Sequence, residues 1–132
     1  MIMVPKHFIL LAEDDEDDQE LIHMAFNKVT SEHDIKFANN GQEALDILQR
    51  HSVLPCLIIL DMNMPMMNGL QTLKALRSEP KFAKVPIVIL TTSDREDIRK
   101  KSYTDGAADY FIKPVSFKDF VITAQKMLTY CR

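Results

Sequence analysis

Residues 57–69 read LIILDMNMPMMNG. Four consecutive apolar side chains, Leu57 to Leu60, run without interruption into an acid, Asp61. A strand with one wet face alternates apolar and polar residues, whereas a strand covered on both faces reads as a continuous apolar run. Leu57 to Leu60 is therefore expected in the middle of a sheet with helices on both sides. Beyond Asp61 a loop, Met62 to Asn68, leads into a helix carrying Leu70, Leu73 and Leu76 at helical spacing.

Working outward, the same strand–helix unit recurs on either side. Phe8 to Leu11 is a second continuous apolar run, followed by a helix from Asp17 to about Val29. Ile35 to Ala38 alternates and suits a more exposed strand. Asn40 is placed to cap a helix reaching about Arg50. Pro86 opens the strand Ile87 to Leu90, and Ser93 or Asp94 is expected to cap a polar helix to about Tyr103. Gly106 fits a helix stop, Tyr110 to Ile112 a fifth strand, and Ser116 to about Tyr130 a last helix. Five such units predict an α/β fold: a parallel sheet, doubly wound, with right-handed crossovers and five helices.

Composition narrows the function. The 132 residues predict one domain over 1–132, with 46% hydrophobic and 27% charged residues excluding disorder. Gly41, Gly69 and Gly106 lie too far apart to write either glycine-rich nucleotide loop. No apolar run approaches the roughly 18 residues of a membrane helix. The start, from Met1, resembles neither a signal peptide nor an anchor, so the expected location is cytoplasmic, with no membrane partner. Two cysteines, Cys56 and Cys131, are too few for a disulfide framework and suggest a reducing compartment, with a bridge between them left open. His7, His23, His33 and His51 show no ligand spacing.

The net charge of −3 hides a lopsided distribution. Residues 13–20 read EDDEDDQE; without them 12 acids face 16 bases. That excess, with no dense Lys/Arg tract, predicts no direct nucleic-acid partner. Asp15 to Asp18 are expected to be solvated or to cap a helix, where negative charge suits the dipole. Glu13 and Asp14, directly at a strand end, need another reason. Ligands of open parallel sheets sit at the carboxyl ends of the strands. There the chain places Glu13, Asp14, Asp61, Thr91 and Lys113. Each alone is commonplace, but three carboxylates in one place repel, and a hard cation such as Mg²⁺ resolves this.

These residues carry a family resemblance. FILLAEDD (8–15), LIILDMNMPMMNG (57–69), PIVILTTS (86–93) and DYFIKP (109–114) make the chain similar, over about 6–130, to the receiver domain of two-component response regulators. The likeness is to the chemotaxis-type single-domain members. It implies the flavodoxin-like strand order 2-1-3-4-5. It implies Asp61 as phospho-acceptor and a Mg²⁺ site of Glu13, Asp14, Asp61 and the Asn63 carbonyl. Thr91 and Lys113 would bind the phosphoryl group, Tyr110 would be the switch aromatic, and a cis bond would precede Pro114. The acid-rich start and LTTS (90–93) also resemble short receivers found beside bacterial phytochrome kinases.

The implied function is that of a single-domain response regulator, a signalling protein catalysing only its own phosphorylation and dephosphorylation. Its donor would be a sensor histidine kinase or a histidine phosphotransfer protein. With the chain ending after the fifth helix, its output would be a contact with a downstream protein target. A homodimer through the face of the fourth helix, fifth strand and fifth helix is a further expectation. That face would present Arg95, Arg99, Lys100 and Lys101 beside Tyr110. Three rivals fit less well. A haloacid-dehalogenase-type phosphatase would need an acid at Asn63 and its nucleophile on the first strand. A flavodoxin-like FMN binder would need a phosphate loop after that strand. A constitutive scaffold would have no use for the acidic pair, Asp61, Thr91 and Lys113 together.

Overall fold

The computed structural model describes residues 7–131. The reading of the first six residues as neither leader nor anchor lies outside them. The strands are β1 (His7–Ala12), β2 (His33–Ala38), β3 (Leu57–Leu60), β4 (Ile87–Thr91) and β5 (Asp109–Ile112). The helices are α1 (Glu16–Val29), α2 (Gly41–Arg50), α3 (Gly69–Arg77), α4 (Glu96–Thr104) and α5 (Phe117–Leu128). A short 3₁₀ turn, Pro80–Phe82, which the periodicity did not announce, links α3 to β4.

All strands pair in parallel, in the order β2-β1-β3-β4-β5. This is the flavodoxin-like order that the resemblance implied. Alternation along each strand feeds two cores. Phe8, Leu10, Ile58, Leu60, Ile87 and Ile89 pack against α2 and α3 through Leu48, Leu73 and Leu76. Ile9, Leu11, Leu57, Ile59, Val88 and Leu90 pack against α1 and α5 through Ile22, Phe26, Phe120 and Met127. The apolar runs of β1, β3 and β4 are thus buried on both faces, as their composition requires.

Helix starts follow side-chain chemistry. Asp15, Asn40 and Ser116 accept from backbone amides at the starts of α1, α2 and α5. Asn68 and Gln71 form a reciprocal capping box at α3. α4 departs from expectation: it begins at Glu96, and neither Ser93 nor Asp94 caps it. Ser93 is engaged elsewhere, its carbonyl accepting from the Tyr110 hydroxyl at 2.8 Å and its hydroxyl from the Arg95 amide at 3.4 Å. Past the end of α4 at Thr104, Gly106 turns the chain with a φ of +110°, open to glycine and strained for other residues.

One expectation needs correction, and one left open is answered. No peptide bond among the described residues is cis, so Pro114 follows a trans bond. Trans is the ordinary ground state of such bonds by about 0.5–1 kcal/mol, and Lys113 reaches its partners from it. Cys56 and Cys131 are joined by a disulfide, their Cα atoms 4.7 Å apart across 75 positions of sequence. The geometry comes from α5, whose end returns the chain to the entry of β3.

Candidate functional site

The strand-end residues are positioned by ladder bonds that outlast the strands. The amide of Glu13 donates to the Ala38 carbonyl at 2.9 Å, that of Asp61 to Ala12 at 3.0 Å, and that of Lys113 to Thr91 at 2.7 Å. Each side chain therefore leaves rigid backbone at one edge of the sheet. Gly69 permits the tight return of the loop after β3: a Cβ there would stand 2.4 Å from the Asp61 carbonyl oxygen.

At this edge one ammonium meets three carboxylates. Lys113 Nζ lies 2.5 Å from Glu13, 2.7 Å from Asp18 and 3.2 Å from Asp61. Its side chain is 8% exposed, and those of Glu13 and Asp61 are 2% and 8% exposed. Oxygens of Glu13, Asp14 and Asp61 lie within 4.8 Å of one another, with Asp14 on the exposed side. Four acids thus gather at this end of the sheet, three of them paired with one base. Burial, together with the charge of Asp61, raises the Glu13 carboxyl to about 7 against the opposing hydrogen bond from Lys113. Burial also works against the charge on Lys113. Its hydrogen bonds to Asp18 and Glu13, and the charge of Asp61, outweigh that and hold the ammonium above its ordinary value.

The donor set fits a hard divalent cation. It offers only oxygens, it carries surplus negative charge, and Asp14 leaves one side open to water. Asn63 follows in the exposed loop, its amide donating to Asp61 Oδ1 at 3.4 Å. Thr91 is fully buried at the end of β4 beside β3, and its Oγ1 accepts from the Ser93 amide at 3.4 Å. Tyr110 is buried, with the Arg99 guanidinium 5.4 Å from its ring centre.

Several contacts were not anticipated. Asp18 is not merely solvated: it lies in the first turn of α1, which delivers it to Lys113. Gln19 supports the edge from below, its amide donating to the Glu13 carbonyl at 2.5 Å and to Asn39 at 3.0 Å. Spacing on α1 carried the signal for both, masked by the density of acids there. His33, without ligand spacing in sequence, comes together with Cys56 and Cys131 at the opposite edge of the sheet. The expected basic face is partly neutralised, Arg95 pairing with Asp97 and Lys101 with Asp105. No helix among the described residues is long and apolar enough to cross a membrane.

Comparison with known proteins agrees with the fold. A family model described as the response regulator receiver domain matches residues 9–125. The chain is 32% identical over 126 residues to the probable methanogenesis regulatory protein FilR2 of Methanothrix harundinacea, covering 92% of this chain and 81% of that one. It is 32% identical over 120 residues to the response regulator Rcp1 of Synechocystis sp., covering 87% and 82%. The crystal structure of Mn²⁺-bound Rcp1 superposes with a TM-score of 0.83, covering 95% of this chain and 93% of that one. That of the phosphorylated cyanobacterial phytochrome response regulator RcpA gives 0.88 at 27% identity, covering 96% and 94%.

Proposed function

The chain belongs to the response regulator receiver domain family, and on that premise we propose that it accepts a phosphoryl group on Asp61 from a phosphohistidine donor. The observation that carries this reading is the buried Lys113 ammonium held against Asp61 beside Glu13 and Asp14. In this reading an Asp61 oxygen attacks phosphorus as the bond to the donor's imidazole nitrogen breaks, roughly in line, leaving an acyl phosphate. Lys113, already in place and already charged, turns a donor toward the new phosphoryl oxygens, and Thr91 offers its hydroxyl. Glu13 and Asp14, with Asp61 and the Asn63 carbonyl, would hold Mg²⁺. Bound there, the ion would neutralise charge on the transferring group. Mn²⁺ in Rcp1 supports a divalent ion at such a site.

The donor would be a sensor histidine kinase or a phosphotransfer protein, in the cytoplasm, and the readout a phosphorylation-dependent protein contact. The relatives differ in their named settings, methanogenesis for FilR2 and phytochrome for RcpA. The shared chemistry carries over to this chain; a particular stimulus does not. By the same reading the whole of 1–132 acts as one receiver. Self-association through α4, β5 and α5 is one form its output can take.

Incubation with acetyl phosphate and Mg²⁺ tests the reading by intact-mass spectrometry. One added phosphoryl group, dependent on Mg²⁺ and absent from Asp61→Asn, is the expected outcome. Undiminished labelling of Asp61→Asn would overturn it.

A further inference from the structure

The edge of the sheet away from Asp61 gathers a second set of ligand-bearing side chains. His33 opens β2, Cys56 immediately precedes β3, and Cys131 lies just past α5. A nitrogen of His33 and the two sulfurs all lie within 4.8 Å of one another, each residue half-buried. By strand alternation His33 shares the face of Ile35 and Phe37, the face against which Cys56 and Cys131 also pack. Thr30 Oγ1 stands 2.7 Å from His33 Nδ1. An outer contact of this kind fixes the orientation of a ligating imidazole.

The geometry points to a binding site for a borderline-soft divalent metal, Zn²⁺ in the first place, formed by His33, Cys56 and Cys131 when the cysteines are reduced. Two thiolates and an imidazole suit zinc and not magnesium, and three protein ligands leave a fourth position for water. The set is distinct from the carboxylate cluster: Cys56 precedes Asp61 by five residues, about 16 Å at the rise of a strand. The oxidised and metal-bound states exclude one another, because the thiolate is the ligand and the disulfide has none. A dithiol reductant supplies two electrons; the Cys56–Cys131 bond breaks, the reductant closes its own disulfide, and its two thiol protons pass to the cysteines. Both thiols then release their protons to solvent as the metal binds. In either state the end of α5 is tied to the entry of β3, by a covalent bond or by a metal.

Cobalt titration tests this on the full chain, with millimolar Mg²⁺ present to occupy the acidic cluster. Reduced protein, freed of reductant under argon, should take up one equivalent of Co²⁺ with a thiolate-to-metal charge-transfer band, displaced by one equivalent of Zn²⁺. Only cysteine ligation produces that band, so binding at Asp61 does not imitate it. Oxidised protein and Cys131→Ser should show no band. His33→Gln should bind more weakly by more than the roughly 10–100-fold that loss of an outer-shell partner costs. Absence of the band in reduced wild-type protein overturns the proposal, and so does a His33→Gln variant of undiminished affinity.

Discussion

Lys113 illustrates how a single side chain can be both prepared and restrained. Its three donors are spent on Glu13, Asp18 and Asp61. To contact a phosphoryl oxygen it must release one of them. On the proposed function, Asp61 carries the incoming group and Glu13 belongs to the cation site, whereas Asp18 only competes. Charge-assisted hydrogen bonds of partly buried groups contribute about 1.5–3 kcal/mol, and part of that is returned because Asp18 is 29% exposed. Asp18→Asn should therefore favour the phosphoryl-bound state, tightening apparent affinity for beryllofluoride with Mg²⁺ by roughly tenfold, or about 1.4 kcal/mol. Fluorescence or calorimetric titration measures this. Weaker binding by Asp18→Asn would show that Asp18 organises Lys113 instead of restraining it. Strand-end position made Lys113 and Asp61 legible in the sequence. Asp18 was not, because a run of seven acids in eight residues hides which one the helix turns inward.

Among the elements, α4 is the least secured by burial. Only Ser102 of its residues is buried, Ile98 is partly so, and Tyr103 is 42% exposed. Polar contacts to β5 and the end of α5 compensate. Asp109, first residue of β5, accepts from Tyr103 of α4 at 3.2 Å and from Tyr130, just past α5, at 2.6 Å. The hydrogen bond to Asp109 is the main reason that the Tyr130 phenol is pushed up to about 12. Burial and the same carboxylate also raise Tyr103. A phenol whose folded pKa exceeds its unfolded value near 10 adds stability that is complete below pH 10 and is lost as pH rises toward 12. Asp109→Asn should return the Tyr130 transition toward 10, seen as phenolate absorbance, and should speed hydrogen exchange in both α4 and the last turn of α5. An unshifted titration would mean that Asp109 does not join these elements. Sequence reading anticipated a polar α4, but the helix begins at Glu96, later than a cap at Ser93 or Asp94 would start it, and the Ser93 hydroxyl accepts instead from the Arg95 amide.

Across the whole molecule, hydrophobic period and strand-end chemistry made the fold and most of the candidate site legible, since both depend on local pattern: β3 and its acid occupy the expected positions. What escaped were contacts between distant segments, such as Cys56 with Cys131, which no spacing announces. One long-range connection links the site to the α4–β5–α5 face in short steps. Thr91 Oγ1 accepts from the Ser93 amide, and the Ser93 carbonyl accepts from the Tyr110 hydroxyl. Tyr110 in turn lies under Arg99 of α4. A phosphoryl group that draws the Thr91 hydroxyl toward itself withdraws the acceptor from Ser93, and the segment carrying the Tyr110 contact becomes free to move. On the proposed function this is a two-state element biased from one end, with reciprocal coupling. Beryllofluoride with Mg²⁺ should therefore change hydrogen exchange in residues 93–112 as well as around Asp61. Tyr110→Phe keeps the buried ring and deletes one hydrogen bond, a loss of about 1 kcal/mol. It should uncouple the two regions, leaving the response at residues 61–63 intact while that of α4 shrinks. A response confined to the Asp61 loops in the wild-type protein would place the output surface elsewhere. An undiminished α4 response in Tyr110→Phe would show that the signal bypasses Ser93.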